Sequence, residues 1–160
     1  MSYLKAGDTI SGQEGKATIV VKNPNGGSTV EDMFFAKNIE GTCNINKTAV
    51  RTLSKRGEQH KPNGWTGEGS MTIYYITSLF RKMAIQYIKT GIPVYFDMTI
   101  TNDDPASSVG KQTTVLKNCS LDSVMLAKLD VEADVLDEDM SFTFDDADIL
   151  DEFGKPILGF

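Results

Sequence analysis

The side chains that could do chemistry in this chain include a glycine pair and a run of acids. The stretch GEGS at residues 67–70 places two glycines where a backbone can approach a phosphate closely. A phosphate-binding loop has the pattern GxxxxGK[ST] between a strand and a helix, whereas these glycines precede a strand-like run. We therefore predict that Gly67 and Gly69 permit a bulge or close backbone packing at the entry of that strand.

The acidic stretch DVEADVLDEDMS at residues 130–141 resembles a calcium-binding loop in composition only. With Asp130 as the first ligand, the sixth position is Val135 instead of glycine, and the twelfth is Ser141 instead of glutamate. The acids alternate with apolar residues, which is typical of a strand with one wet face. An EF-hand is excluded, and we predict no metal site.

The chain also lacks the residues that most catalytic constellations need. His60 is the only histidine and lies in the polar run KRGEQHKPNG, which argues against histidine metal sites and against a Ser/His/Asp triad. No GxSxG motif is present. Cys43 and Cys119 are far apart and are expected to be free thiols. We predict no catalytic residue, no cofactor and no enzymatic activity.

Composition fits one soluble domain of 160 residues, with 40% hydrophobic and 24% charged residues and a net charge of −6. Residues 128–160 hold half of the acids but only two basic residues, Lys128 and Lys155. An acidic protein of this kind lacks the basic face that sequence-independent DNA binding needs. No apolar run approaches the ~20 residues that span a bilayer, and no secretory signal begins the chain. We expect the protein to be made and kept in a cytoplasm, or to be released by a route other than secretion, and we expect no membrane partner.

The elements that position these residues are mostly strands. The first dozen residues look loosely ordered. GKATIVVK and the run STVEDMFFAKNIEGTCNIN are predicted to pair as a hairpin across Asn23–Gly27, with Met33 and Phe35 inward. PVYFDMTITND, LDVEADV and MSFTFDDADIL alternate in the same way. In LDVEADV, the residues predicted to point inward are Leu129, Val131, Ala133 and Val135.

One helix is predicted at about residues 78–90, directly after a strand, with Thr77 or Ser78 as its side-chain cap. Apolar residues recur every three or four positions, and Gly91 followed by Pro93 ends the helix. The residues expected to dock this helix on the sheet are Phe80, Ala84, Tyr87 and Ile88, with Arg81, Lys82 and Lys89 facing outward.

These elements predict a mainly β protein, an antiparallel β-sandwich or barrel-like subunit with one packed α-helix. The count is six or seven strands without a βαβ rhythm. We predict a single domain over residues 1–160, with a flexible N-terminus at about 1–12, a long loop at about 47–65 and an acidic C-terminal region at about 128–153. The loop carries five basic residues, Lys47, Arg51, Lys55, Arg56 and Lys61. It is either functional or a solvated excursion with a short helical turn.

Two stretches of the sequence resemble a known family. GWTGEGSMTIYYITSLFRKMAIQYIKTG is similar to the Gly-x-Gly-Ser-x-Thr-x-Tyr strand and Ser-capped helix of tail-tube proteins from PBSX-type prophages, which are related to those of contractile phage tails and phage-tail-like bacteriocins. MSFTFDDADILDEF resembles the closing strand of the same family. The resemblance covers about residues 30–153 and leaves the NPNGG turn and the GKPILGF tail outside it.

The resemblance implies a structural subunit that assembles into hexameric rings, which stack into a hollow tube whose lumen is lined by strands. It implies a sheath around the tube, a tape-measure protein inside it during assembly, and DNA in transit without specific binding. The protein would belong to the virion tail and be assembled in the host cytoplasm. Two alternatives remain: a β-sandwich binding module, and a ring-forming tube protein of a bacterial contractile secretion system.

If the chain forms such a tube, we expect specific roles for two of its surfaces. The basic residues of 47–65 are expected to bridge one ring to its neighbour. If LDVEADV is a strand with an apolar inner face, Asp130, Glu132 and Asp134 point to the opposite face. We expect that face to line the lumen, where carboxylates would repel DNA phosphates. A subunit seam or a merely solvated acidic face is the alternative.

Overall fold

The computed structural model describes residues 1–160 and contains eight β-strands and one α-helix. Their order along the chain is β1 (Gly15–Lys22), β2 (Ser28–Asp32), β3 (Ala36–Val50), β4 (Gln59–Tyr74), α1 (Leu79–Thr90), β5 (Tyr95–Asp103), β6 (Lys111–Leu121), β7 (Asp137–Phe144) and β8 (Asp146–Asp151). All strand pairs are antiparallel. The predicted class, a mainly β protein with one helix, is confirmed.

The strands follow the order β2-β1-β5-β6-β7-β4-β3, and the sheet is not closed into a barrel. Strand β6 joins the two halves, because most of it pairs with β5 while Ser120 and Leu121 at its end pair with β7. Strand β8 pairs with the first part of β6. The two ends of this path, β2 and β3, each leave one strand edge free.

The core lies between the two halves of the sheet and consists of fifteen buried apolar residues. Phenylalanine rings contact one another through it: Phe80 of α1 lies 6.2 Å from Phe96 of β5, which lies 6.5 Å from Phe142 of β7. The inward positions predicted on MSFTFDDADIL, namely Met140, Phe142 and Phe144, are confirmed. Helix and both sheet halves therefore share one core.

The run STVEDMFFAKNIEGTCNIN is not one strand as predicted, because it divides between β2 and β3. Met33 and Phe35 lie between the two strands and are buried, as expected. The amide of Met33 donates a hydrogen bond to the carbonyl of Ala17 on β1. The carbonyl of Phe35 accepts a hydrogen bond from the amide of Tyr74 on β4. This short segment therefore crosses the gap between the two ends of the sheet.

The predicted long loop at 47–65 is wrong, because most of it is strand. Residues 47–50 end β3 and residues 59–65 begin β4, with Val50 opposite Gln59. Only residues 51–58 form the connecting turn. The sequence pattern misled here because neither face of this part of the hairpin is covered, so no apolar periodicity marked it as strand.

The predicted strand LDVEADV is also wrong. Residues 122–136 form an irregular segment in which the Asp130 carboxylate accepts the amide of Glu132 at 3.0 Å, a turn-forming contact. Leu129 and Val131, predicted to point inward, are 97% and 94% exposed. The local hydrogen bond of Asp130 and the lack of a neighbouring strand outweigh the alternating pattern.

The helix occupies the predicted position, Leu79–Thr90, and Gly91 ends it in the left-handed conformation (φ 72°). A four-residue turn separates it from β4, and the Thr77 hydroxyl accepts the amide of Leu79 at 3.3 Å. No helix of the protein has the length and apolar character needed to cross a membrane.

The N-terminus makes more contacts than its composition suggested. Tyr3 and Gly159 form an antiparallel bridge with N···O distances of 3.1 and 2.9 Å. The Asp8 carboxylate accepts both the amide and the hydroxyl of Ser108, and the Ser108 hydroxyl in turn accepts the amide of Ile157. These contacts tie both termini to the turn between β5 and β6.

Candidate assembly surfaces

The glycines of GEGS serve packing inside the subunit. A Cβ atom on Gly69 would lie 2.4 Å from Cζ of Phe142 and 2.5 Å from the carbonyl oxygen of Glu40. A Cβ on Gly67 would lie 2.5 Å from the ring of Phe144. Both positions lack room for a side chain, so β4 can lie directly against the phenylalanines of β7. Close backbone packing was one of the two predicted roles of these glycines, and it is confirmed.

The opposite face of β4 and its neighbours β3 and β7 is a continuous polar surface, which we call the polar sheet face. The paired registers place twelve side chains on it: Asn38, Glu40, Thr42, Asn44, Asn46, Thr66, Glu68, Ser70, Thr72, Asp139, Ser141 and Thr143. Three of these are acids and none is Lys or Arg. Hydrogen bonds within the face join Asn44 to Glu68 at 2.7 Å and Thr72 to Asp139 at 2.6 Å.

This surface was missed at the sequence level, although a signal for it exists. In NIEGTCNIN, small polar residues and glutamate occupy every second position, which is the strand period. The intervening residues include Gly41, Cys43 and Ile45, an apolar set too small to be recognised as a buried face.

The outer part of the β3–β4 hairpin extends beyond the rest of the sheet. Strand β7 pairs with β4 only over residues 67–74, so residues 43–66 have no strand neighbour other than each other. We call them the projecting hairpin. On the side opposite the polar sheet face, Ile45 and Trp65 are exposed, and the Trp65 ring lies 6.1 Å from that of Phe144. Exposed apolar side chains in such an extended ribbon indicate a surface that another chain covers.

The five basic residues predicted to act between rings all lie on the projecting hairpin. Lys47 and Lys61 are on its strands, whereas Arg51, Lys55 and Arg56 are at its tip, residues 50–58. Arg51 is neutralised by Glu58, 2.8 Å away. Lys55 and Arg56 take part in none of the ion pairs of the subunit. Leu53, 97% exposed, lies between these cations in the tip.

The three acids expected to line the lumen lie outside the strands of the sheet. Asp130, Glu132 and Asp134 are exposed on the irregular segment between β6 and β7. Since this segment is not a strand, strand alternation no longer places the three carboxylates on one face. Their role in the lumen stays a prediction without that support.

The helix docks through fewer residues than predicted. Phe80 is buried and Ala84 is half-buried, as expected. The prediction for Tyr87 and Ile88 is wrong within the subunit, because these side chains are 56% and 62% exposed. Met83 is the second buried residue of α1, so the first half of the helix covers the core and the second half extends past it.

Arg81 was expected to face outward and instead points into the protein. Its guanidinium donates to both carboxylate oxygens of Glu138, at 3.0 and 2.9 Å, and lies 4.3 Å from the centre of the Tyr75 ring. It also donates to the carbonyl of Thr77. Lys82 and Lys89 are exposed, as predicted.

The largest concavity lies in the gap between the two ends of the sheet, and we call it the edge groove. Its volume is about 820 Å³, and its walls are the free edge of β3, the start of β1 and the end of β5. Apolar atoms come from Ala17, Ile39 and Ile100, and Phe34 lies on its rim with 82% of the residue exposed.

Reactive and metal-binding groups do not converge anywhere in the subunit. No three His, Cys, Asp or Glu side chains are arranged as metal ligands would be. Cys43 is exposed and Cys119 is buried, and both are free. Burial raises the pKa of the Cys119 thiol to about 12, so this sulfur stays protonated at neutral pH.

Comparison with known proteins gives a family. A family model described as "Phage tail tube protein" matches residues 2–151. The chain is 35% identical over 146 residues to "Phage-like element PBSX protein XkdM" of Bacillus subtilis (strain 168), covering 91% of this chain and 93% of the relative. It is 34% identical, with the same coverage, to "Uncharacterized protein YqbM" of the same strain.

Solved structures share the fold. The sheath/tube terminator of an extracellular contractile injection system matches with a TM-score of 0.64 at 15% identity, covering 89% of this chain and 97% of the other. The SPP1 tail tube matches with a TM-score of 0.60 at 13% identity, covering 93% of this chain and 81% of the other. A chain in the sheath-tube complex of such an injection system matches with a TM-score of 0.61 at 14% identity, covering 89% of this chain and 91% of the other.

Proposed function

The chain belongs to the phage tail tube family, and we propose that its subunits assemble into stacked hexameric rings that form a conduit for DNA. Tail tube proteins are structural components of the virion, and this chain is a subunit of that kind. The observation that carries the proposed conduit is the polar sheet face. Its twelve side chains are all polar, and they include three acids and no lysine or arginine.

We assign the polar sheet face to the lumen. Its hydroxyls and amides hold water, and the carboxylates of Glu68 and Asp139 repel phosphates. A basic lining would retain DNA, because each neutralised phosphate releases counterions and adds affinity. The free edge of β3 beyond the edge groove, from Gly41 onward, supports this assignment, since a strand of the adjacent subunit can pair with it and continue the lining around the ring.

Asp130, Glu132 and Asp134 are the competing candidates for the lumen. The two assignments differ in which part of the subunit faces the axis, and lysine substitutions distinguish them. Glu68→Lys with Asp139→Lys should leave assembly intact and increase the retention of DNA by tubes. Asp130→Lys with Glu132→Lys makes the same change of charge on the irregular segment and should have little effect.

The projecting hairpin is proposed to connect stacked rings. It extends from the subunit without intramolecular cover, it exposes Ile45 and Trp65, and its tip carries two unpaired cations. We expect subunits in which a two-residue Asn-Gly turn replaces residues 51–58 to fold and to form rings. Those rings should not elongate into tubes. Tube formation equal to that of the unmodified chain would contradict this role.

A tube of this kind would have two protein partners, one outside it and one inside it. We propose a sheath protein on the outer wall, with exposed Lys82 and Lys89 of α1 among the contacts, and a tape-measure protein in the lumen during assembly in the host cytoplasm. The tube is proposed to hold no cofactor and to catalyse no reaction. DNA passes through without specific binding.

Electron microscopy of the purified protein, combined with light scattering, tests the assembly. We expect six-fold rings and tubes, and a strictly monomeric protein at high concentration would overturn the proposal. Retention of double-stranded DNA by purified tubes and DNA delivery by particles built from each lysine variant then test the conduit. Unchanged retention and delivery with Glu68→Lys and Asp139→Lys would remove the polar sheet face from the lumen.

A tube subunit of a contractile injection system is the second candidate function. The fold similarity to chains in the sheath-tube complex and the sheath/tube terminator of such a system supports it. The two candidates share rings and tubes and differ in cargo, so particles that contain tubes but deliver no DNA would favour this alternative.

A further inference from the structure

The tip of the projecting hairpin and the edge groove have complementary surfaces. The tip presents the side chain of Leu53, which is 97% exposed, close in sequence to the unpaired cations Lys55 and Arg56. The groove presents an exposed phenylalanine, Phe34, and apolar walls.

The charges of the groove favour a cationic occupant. Its lining includes two carboxylates, Asp32 and Glu40, neither of which takes part in an ion pair. The Asp32 carboxylate accepts only a long hydrogen bond, 3.4 Å, from the Thr18 hydroxyl. Of the two lysines in the lining, Lys37 is already bound to Asp137 at 3.0 Å, which leaves Lys16 against two free carboxylates.

The tip also has a defined shape before it meets a partner. Ser54 adopts a positive φ of 70°, a conformation that residues other than glycine seldom occupy. A hydrogen bond between Gln59 and Thr52, 3.0 Å long, and the Arg51–Glu58 pair close the turn around it. The turn therefore holds Leu53 outward, and less ordering is needed on binding.

The tip and the groove of one subunit cannot meet. Glu40 lies in the groove, and β3 continues from it to Val50 at the base of the tip. At about 3.3 Å per residue, this part of the strand places the tip about 30 Å away from the groove. Any contact between the two surfaces must therefore join different copies.

We propose that the hairpin tip of one subunit docks in the edge groove of a second copy of this chain, with Leu53 against Phe34 and with Lys55 and Arg56 facing Asp32 and Glu40. The inference rests on the proposed tube and identifies the receiving surface of the ring-to-ring contact. Because the two surfaces differ and lie far apart, the contact is heterologous, and a heterologous contact between successive rings can add subunits along the tube without limit.

Charge reversal tests the pairing. A tip variant carries Lys55→Glu with Arg56→Glu, a groove variant carries Asp32→Lys with Glu40→Lys, and a third chain carries all four substitutions. Lys5→Glu with Lys155→Glu, at two exposed lysines outside the tip, the groove and the ion pairs of the subunit, is the matched control for the tip variant. All of these residues are exposed, and circular dichroism establishes that each variant is folded.

We expect the tip variant and the groove variant to form rings without tubes, and the four-substitution chain and the control to recover tubes. Tubes from either single-surface variant, or rings of the four-substitution chain that do not elongate, would overturn the docking while leaving the proposed tube in place. A wild-type chain that forms neither rings nor tubes would overturn both.

A cross-link measures the contact directly. With Cys43→Ser as background, the pair Phe34→Cys and Leu53→Cys should give covalent multimers that extend well beyond the number of subunits in one ring. Each single cysteine should give none. A ladder that stops at the ring size would place the contact between neighbours within a ring and contradict the proposal.

Discussion

Arg81 of α1 and Glu138 of β7 form an ion pair inside the subunit, with Arg81 Nη1 2.9 Å from Glu138 Oε2. The Glu138 side chain is 1% exposed and that of Arg81 is 13% exposed. A cation in the first turn of a helix opposes the helix dipole, so the carboxylate of Glu138 is what makes this position favourable. The pair, with Tyr75 stacked on the guanidinium, fixes the start of the helix to the sheet.

Breaking this pair should destabilise the subunit strongly. Glu138→Gln removes the charge without changing the shape and leaves a largely buried guanidinium unneutralised, which costs about 3 kcal/mol or more. Urea denaturation measures the change in the free energy of unfolding. Asp148→Asn breaks the exposed pair with Lys117 and should cost less than about 1 kcal/mol. Equal losses for the two variants would show that the buried pair has no special role.

The packing role of the GEGS glycines gives a second prediction. Gly69→Ala forces a Cβ into the space of the Phe142 ring and the Glu40 carbonyl, and we expect a loss of about 1–3 kcal/mol in the free energy of unfolding. Gly57→Ala, at the hairpin tip with open space around it, should change that energy by less than about 0.5 kcal/mol. An unchanged free energy of unfolding in Gly69→Ala would contradict the close packing of β4 against β7 at this position.

Helix docking depends on Phe80, which contacts Phe35 and Phe96 in the core. Phe80→Ala should lower the free energy of unfolding by about 3–5 kcal/mol. Ile88→Ala on the exposed second half of α1 should lower it by less than about 1 kcal/mol in the isolated subunit. Chemical denaturation of both variants measures the difference, and a small effect at Phe80 would contradict the docking.

The contact between the termini should weaken in acid. Hydrogen bonds from the amide and hydroxyl of Ser108 hold the pKa of Asp8 below its ordinary value, with a small contribution from the charge of Lys5. This contribution to stability is complete above the ordinary aspartate pKa of about 4 and is lost as the pH falls through the lowered value. The Tm of Asp8→Asn should therefore lie below that of the wild type at pH 7.

The two Tm curves should converge as the pH falls below the ordinary aspartate pKa of about 4 and through the lowered pKa of Asp8. Asp134→Asn, at an exposed aspartate without a side-chain hydrogen bond, serves as the control and should follow the wild type at all pH values. A constant difference between Asp8→Asn and the wild type down to low pH would show that the Ser108 contacts do not depend on the charge of Asp8.

The sequence predicts elements well where one face of a strand or helix is buried. Strands such as β1 and β5, the helix, and the inward positions of Met140 and Phe142 follow from apolar periodicity. The projecting hairpin was missed because its strands bury neither face within the subunit, so hydrogen bonding alone defines them. LDVEADV was misassigned for the opposite reason: it alternates like a strand, but Asp130 bonds to its own backbone and no strand lies beside it.

The candidate surfaces show the same limit. The basic residues of 47–65 could be selected from composition, whereas their grouping at a tip depends on the register of β3 and β4. The polar sheet face required three strands to be placed side by side, and only Asn38–Asn46 gives a local signal for it. Asp130, Glu132 and Asp134 were chosen from alternation that the fold does not realise.

Cryo-electron microscopy of assembled tubes is the most direct test of the polar sheet face as the lumen. The radial order of two side chains on adjacent strands decides it: Glu68, on the polar sheet face, and Phe142, on the core side. We predict that the Glu68 carboxylate lies nearer the tube axis than the Phe142 ring, with Ser70 and Thr143 also facing the channel. A tube in which the polar sheet face forms the outer wall, or lies between rings, would contradict the account.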